Sequence, residues 1–474
     1  MNSIPPVIPP APPPLPPRSP RRVSIIAKLA YIGGLLILLQ IPVGLTHGVL
    51  KDRRGYQEQA AAEISRSWGH SQAVAGPILA VPYWYQATAI HQRVVNGRKV
   101  DVEENELVAA TAYFLPDNLT ADGSIDPEVR SRGIYDTVVY TLRLKMTARF
   151  QPDFGAARIE ADQIDWDHAR VLVSVSDLHG LRSLGPLHYG ADRSVGFETS
   201  ATQTEASHFL FGPTPMVPGS GPLEISFDAI CQGSDAVTFA PVGQNTRVTV
   251  RSPWPDPSFV GATLPVRRSV GAQGFDATWE SVQFSHPFPA SWSSRSEKND
   301  DMMKRIADSG FGVRFARPID AYGMVERAQK YATLFFVLIF NAFFLFELTA
   351  GLRIHPTQYA MVGAALCLFF LGFLALTEFW PTAWAYLAAA GACTALISLY
   401  AWSFLHSGGR TVMITAGLTA TYGYLYFVLQ SQDYALLAGT LALFAGLAIA
   451  MYGTRRFNWY TTELSGAVAA GATE

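Results

Sequence analysis

The chain has 474 residues, 49% hydrophobic and only 16% charged, against about 25% charged in ordinary soluble proteins. A formal net charge of −2 excludes the broad basic face that a nucleic-acid partner needs. Three cysteines exclude a disulfide-stapled fold.

Charge is distributed unevenly. Residues 51–328 hold 27 Lys+Arg and 33 Asp+Glu, whereas residues 331–453 hold only Glu347, Arg353, Glu378, Arg410 and Asp433. A stretch so poor in charge cannot form the outside of a water-soluble domain. The composition averages two solvents, lipid and water.

In chain order, residues 1–22 come first, and ten of the 31 prolines fall within Pro5–Pro20. Such a segment favours solvated polyproline II and builds no core, so a disordered cytoplasmic tail is expected. Leu29–Leu50 is the first apolar run long enough to cross about 30 Å of hydrocarbon. It runs into THGVLKDRRGY without a small-x-small cleavage site, which reads as an uncleaved anchor spanning residues 23–50.

The next segment opens helically, with Tyr56, Ala60, Ile64 and Trp68 on one stripe. After Gly76 the period changes to two. In Thr137–Phe150, Val138, Tyr140, Leu142, Leu144, Met146, Ala148 and Phe150 share one face, and Thr137, Thr141, Arg143, Lys145, Thr147 and Arg149 the other. That predicts a long antiparallel strand with one wet face. Arg170–Ser176, Leu223–Cys231, Thr246–Arg251 and Phe275–Phe284 repeat the pattern. Residues 51–328 are expected to form a β-rich, sandwich-like antiparallel domain. Cys231 falls on its apolar face and reads as a buried structural thiol. Val313 and Phe315 suggest a last strand, and Asp320–Tyr331 a helix leading into the membrane.

Five further spans are expected near Ala332–Leu352, Tyr359–Leu376, Ala383–Leu405, Val412–Leu429 and Ala435–Met451, making a bundle over residues 329–456 with a cytoplasmic tail at 457–474. Their short connections force antiparallel neighbours. Arg18, Arg21 and Arg22 precede span one, and Arg353, Arg410, Arg455 and Arg456 fall in alternate loops, whereas loops 377–382 and 430–433 carry none. The bias predicts six spans with both termini cytoplasmic and residues 51–328 outside.

Site grammar is sparse. There is no G-x-S-x-G, H-E-x-x-H, Walker A, G-x-G-x-x-G or C-x-x-C motif. In DQIDWDH, Asp162, Asp165, Asp167 and His168 could form a metal or acid–base site, but a solvated polar loop accounts for them more simply. His179, His188 and His208 lack ligand spacing. Ionisable residues within spans are costly and point to function. The candidates are Asn341 and Glu347 in the second span, Arg353 and His355 in the loop after it, and Glu378 and Asp433 at outer span ends. Asn341 and Glu347, six residues apart, face different ways. Glu347 is expected to pair with Arg353 or His355, an anchoring role, or alternatively to serve a proton or ion relay.

Several stretches carry a family resemblance: AGPILAVPY (75–83), RGIYDTVVY (132–140), WPDPSFVGATLP (254–265), PIDAYGMVERAQKYA (318–332), FFLFEL (343–348), RIHPTQYAMVGAALCLFF (353–370) and YLYFVLQSQDYALLAGTLALFAGLAIAMYGTRRFNWY (424–460). In collinear order from about residue 23 to 460, the chain resembles the inner-membrane protein CreD family, also described as cell envelope integrity proteins. The proline-rich tail departs from that pattern. The resemblance implies a bacterial inner-membrane protein whose expression answers a two-component system, linked to envelope integrity, colicin tolerance and responses to cell-wall-active antibiotics. It carries over no catalytic residues and no cofactor. The leading expectation is a non-enzymatic protein of the bilayer whose outer domain engages an envelope protein, lipid or glycan. A transporter or channel-like bundle using Glu347 and a periplasmic hydrolase are the alternatives.

Overall fold

A computed structural model of the protein describes residues 25–95, 98–190, 193–204, 207–214, 216, 221–315, 321–350, 354–405, 407–431 and 435–455. The proline-rich tail, Arg353, Asp433, Asp320 and the expected C-terminal tail lie outside these residues. Eight α-helices run through them: α1 (Ile25–Trp68), α2 (Asn299–Asp308), α3 (Ala321–Lys330), α4 (Ala332–Ala350), α5 (Pro356–Thr377), α6 (Thr382–Leu405), α7 (Gly408–Gln430) and α8 (Ala435–Thr454). The chain divides into two compact units, residues 1–52 with 321–474, and residues 53–320. The second boundary falls ahead of α3, not within it at the expected residue 328. The cause is that α3 buries Tyr322, Met324, Val325 and Ala328 and packs on α5 and α7.

The helical unit is apolar throughout. Among the described residues, four helical segments are long and apolar enough to cross a membrane: Ala27–Trp68, Pro356–Thr377, Thr382–Ser403 and Gly408–Gln430. The segment expected as span two, Ala332–Leu352, begins at α4; α3 precedes it across a 51° bend, and the bent pair makes a fifth if taken as one span. The apolar stretch of α8, Leu437–Ile449, is shorter. Phe379, Trp380 and Trp384 are exposed around the α5–α6 turn, where amphipathic rings suit a headgroup layer. α1, 44 residues in all, runs on unbroken past its apolar part to Trp68, as the stripe at Tyr56 to Trp68 predicts.

The other unit is two sheets. The first has ten described strands, in the order Glu198–Thr204, Ser207–Pro213, Arg170–Val175, Gln72–Val95, Ala236–Phe239, Phe311–Phe315 and Pro257–Gly261. Arg98–Phe114, Gln163–Ile164 and Ser291–Ser293 join it off that path. The second has nine, in the order Arg267–Gly271, Gly274–Val282, Asn245–Ser252, Asn118–Arg132, Tyr135–Phe150, Leu223–Ser234, Leu187–Tyr189 and Arg193–Val195, with Leu181–Leu184 attached to Leu223–Ser234. One hydrophobic cluster draws on both sheets: Leu79, Val81 and Val237 from the first, Leu142, Met146 and Phe227 from the second. Trp279 stacks on Phe311 across the interior at 5.6 Å.

Strand periodicity is a faithful guide where one face is wet. In Tyr135–Phe150 every residue assigned to the apolar face is buried, while Arg143, Lys145 and Arg149 are exposed. Three departures have physical causes. Arg170–Val175 buries Leu172 and Ser174 as well as its valines, because it lies inside the first sheet with both faces covered. The strand predicted over Phe275–Phe284 stops at Val282, where a 3-10 turn, Gln283–Ser285, leaves Phe284 fully exposed. The pairing is also not purely antiparallel. Gln72–Val74 runs parallel to Val237–Phe239, and Asn118–Ser124 parallel to Asn245–Arg251. Parallel neighbours need long crossovers, which local periodicity cannot reveal.

One residue fixes a close strand contact within the first sheet and another joins the two sheets. Gly76 sits at a register shift with φ of +116°, and a Cβ there would lie 2.7 Å from the Leu172 carbonyl oxygen. Tyr140 is fully buried; its hydroxyl donates to the Ala236 carbonyl at 2.7 Å and accepts from the Gln72 N–H at 3.2 Å. Gly233 packs directly against that ring, where a Cβ would come within 2.4 Å of the hydroxyl.

Candidate functional site

The helical unit contains one strongly polar buried cluster among the described residues. It begins with the sequence LFEL on α4, which places Glu347 on an otherwise apolar helix at 9% exposure. A carboxylate in such surroundings must be paired and hydrogen-bonded. Its partner is Lys28, on the first turn of α1. Glu347 Oε1 accepts from Lys28 Nζ and from the Ile354 backbone N–H at 3.2 Å. Oε2 accepts from the Tyr359 hydroxyl at 3.0 Å. Lys28 Nζ also donates to the Ile354 carbonyl at 2.9 Å and lies 5.6 Å from the centre of the Tyr359 ring. Each charge is thus met by an opposite charge and by neutral dipoles.

The expected pairing of Glu347 with His355 is not what forms. His355 is instead the N-cap of α5. Its ring accepts from the Thr357 N–H, the Gln358 side chain accepts from the His355 N–H at 2.9 Å, and Pro356 follows as the first helical residue. Arg353, the other expected partner, lies outside the described residues, as does Asp433. Asn341 is half-buried on α4, with no described contact to Glu347. Glu378 is the C-cap residue of α5 and does not join this cluster.

Lys28 is the residue that sequence reasoning missed. Its signal was a lysine directly ahead of the first apolar run, together with a lone glutamate late in the second. The rest of α1 shows why the two meet. Ile32, Leu35, Leu39, Val43, Thr46 and Leu50 form a buried stripe at helical spacing. Leu39 seats on Gly363 of α5, where a Cβ would lie 2.6 Å from the leucine methyl. Further along, Gln40 accepts from Thr333 at 3.1 Å, and His47 Nδ1 lies 3.1 Å from Gln329 Oε1. At the cluster itself, Tyr31 donates to the Pro356 carbonyl at 3.0 Å. The anchor helix is therefore packed and hydrogen-bonded to the bundle along its length.

The acidic loop of the β-rich unit does not converge. Asp162 accepts from the Gln86 N–H at 2.7 Å. Asp165 accepts from its neighbour His168 at the backbone N–H, 3.1 Å, and pairs with the ring at 2.8 Å. The side-chain bond from His168 leads the causes that hold the Asp165 carboxyl below its ordinary range. Asp167 is exposed. These bonds close a turn. Among the described residues no group of three or more His, Cys, Asp or Glu is placed to hold a metal ion. His179 pairs with Asp177 at 3.5 Å, His188 is exposed, and the His208 side chain lies outside the described residues.

Comparison with known proteins fits this architecture. The profile of the family described as Inner membrane protein CreD matches residues 24–460. The Inner membrane protein CreD of Escherichia coli is 29% identical over 446 residues, covering 92% of this chain and 94% of the relative. Together with several apolar helices long enough to cross a bilayer, that likeness gives a multi-pass location in an inner membrane. The chain belongs to the CreD family of inner membrane proteins.

Proposed function

We propose that the protein is a non-enzymatic component of the cell envelope, in which a six-span bundle holds the β-rich domain on the periplasmic side to engage an envelope protein, lipid or glycan and so support envelope integrity under stress. Both termini are cytoplasmic in this reading, as the alternation of arginines between loops favours. The bent pair α3–α4 forms one span and α8 the last.

One observation carries the binding role. The hairpin of Gln72–Val95 and Arg98–Phe114 pairs over 17 positions, and from Ala87 to Val95 its first strand pairs only with Arg98–Glu106 among the described residues. Nine residues of two-stranded ribbon extend about 30 Å. Such a ribbon is marginally stable alone and offers unpaired edges to a partner. Ile90 is exposed on it, and Leu107 and Val108 are exposed where its second strand continues. Against transport stands the engagement of both Glu347 oxygens, which suits an anchor better than an ion path.

The test places a photo-crosslinking residue at Ile90 or Leu107 of the full chain in intact cells, with Val129 as a control. Adducts with an envelope component from the ribbon positions alone are expected. No adduct at either ribbon position sinks the reading. Loss of phenotype in Glu347→Gln at normal abundance would turn it toward transport, and loss in a folded Asp167→Ala toward hydrolysis.

A further inference from the structure

Helices α4, α7 and α8 of the membrane unit border an open-sided cavity of about 320 Å³. Phe343 and Phe346 of α4, Met413, Gly417 and Thr421 of α7, and Ile449 of α8 line it. Thr421 is the only polar side chain among the described residues of the wall, and its hydroxyl donates to the Gly417 carbonyl at 2.8 Å. The backbone groups of the wall belong to helices and are engaged along them. A water in a cavity needs two to four polar partners, and the described wall offers at most one, the Thr421 hydroxyl oxygen. The surface therefore selects hydrocarbon, and in a membrane-embedded unit the hydrocarbon at hand is a lipid chain.

The helix directions place positive charge beyond one end. α8 runs parallel to α4, since Gly439 lies against Leu334 and Gly446 against Leu338. α7 runs antiparallel to both, with the Tyr424 hydroxyl donating to the Ala438 carbonyl and Met413 sharing the cavity with Ile449. The start of α7 and the end of α8 thus lie toward the same end. Arg410 stands one turn before Met413 on α7, exposed, with no ion pair or hydrogen bond among the described residues. Arg455 follows Ile449 by less than two turns and rests on the Tyr452 ring at 3.9 Å. The carboxylate of the helical unit nearest in sequence to this cavity, Glu347, is already taken by Lys28.

We propose that this cavity holds one acyl chain of an anionic glycerophospholipid whose phosphate lies against Arg410 and Arg455. The inference needs only the membrane placement of the helical unit, and it stands or falls separately from what the β-rich domain engages.

The test uses the full chain purified in detergent and native mass spectrometry with added phosphatidylglycerol or phosphatidylcholine of identical chains. Wild type should retain phosphatidylglycerol about tenfold more strongly, the scale of one charge-assisted contact. Gly417→Leu should abolish both adducts. Nothing lies within 4 Å of a Cβ at Gly417, so the side chain can leave the backbone there unobstructed and take up cavity space. Arg410→Ala with Arg455→Ala should remove the preference while leaving weak binding of both lipids. Equal retention by wild type, unchanged adducts in a folded Gly417→Leu, or a polyprenyl phosphate as the co-purifying species would overturn the proposal. Should Gly417→Leu not fold, Met413→Trp supplies the readout, because Met413 is 65% exposed and tolerates a larger ring. Its fluorescence should be quenched more by brominated-chain phosphatidylglycerol than by the matching phosphatidylcholine, and equal quenching overturns the assignment.

Discussion

Lys28 and Glu347, 319 positions apart in the chain, form a largely buried ion pair that ties the N-terminal helix to the bundle. The pair is sealed by the Ile354 backbone and the Tyr359 hydroxyl. Its removal in part should cost more than its removal in full. Breaking a buried pair leaves one charge without compensation, typically at about 3–5 kcal/mol, whereas an apolar replacement of both partners is often neutral. Glu347→Leu or Lys28→Met alone should therefore lower the thermal midpoint of the detergent-solubilised protein sharply. The double variant should recover most of the loss. Additive losses in this double-mutant cycle would show that the two side chains are not coupled.

Tyr140→Phe removes one oxygen from the junction of the two sheets. It strands the Ala236 carbonyl and the Gln72 N–H in the interior. The expected cost is about 1–3 kcal/mol, read as a lower denaturation midpoint by tryptophan fluorescence with an unchanged slope. A changed slope would instead mean that the variant alters how much surface unfolding exposes.

Asp177 predicts acid sensitivity of the β-rich unit. Burial raises its carboxyl, but the N–H groups of His70 and His179 at 2.8 and 2.9 Å outweigh that, and the net leaves it below the ordinary value. A depressed folded value means the unfolded chain binds the proton more tightly. The contribution is therefore complete above the ordinary aspartate range and lost as pH falls through the folded value. Asp177→Asn should lower stability at neutral pH and flatten its decline in acid. A parallel acid profile in the variant would remove Asp177 as a cause.

Cys231 should be inert in the folded protein. It is 1% exposed, and burial pushes its thiol up to about 11. A maleimide at neutral pH should label it only as the β-rich unit unfolds, so the labelling rate should track the denaturant transition. Fast labelling of the folded state would contradict the burial.

Much of the candidate site was legible in part. A glutamate inside an apolar run flags itself, because a charge in hydrocarbon requires a reason. Its partner did not, because Lys28 reads as an ordinary flanking cation until the stripe Ile32 to Leu50 of α1 is seated on the bundle. His355 looked equally available by proximity, but its local backbone made it a helix cap first.

The sequence by itself determined what depends on solvent and on near neighbours. Charge density separated the lipid-facing helices from the water-facing domain, and alternation along Tyr135–Phe150 set which face is buried. Tertiary structure decided whatever depends on distant segments meeting. It set the parallel pairing of Gln72–Val74 with Val237–Phe239, the full burial of Arg170–Val175, the bend between α3 and α4, and the union of Lys28 with Glu347. The physical reason is one of range. Periodicity and transfer free energy act over a few residues, whereas an ion pair or a parallel register is specified only when chain packing brings its two halves together.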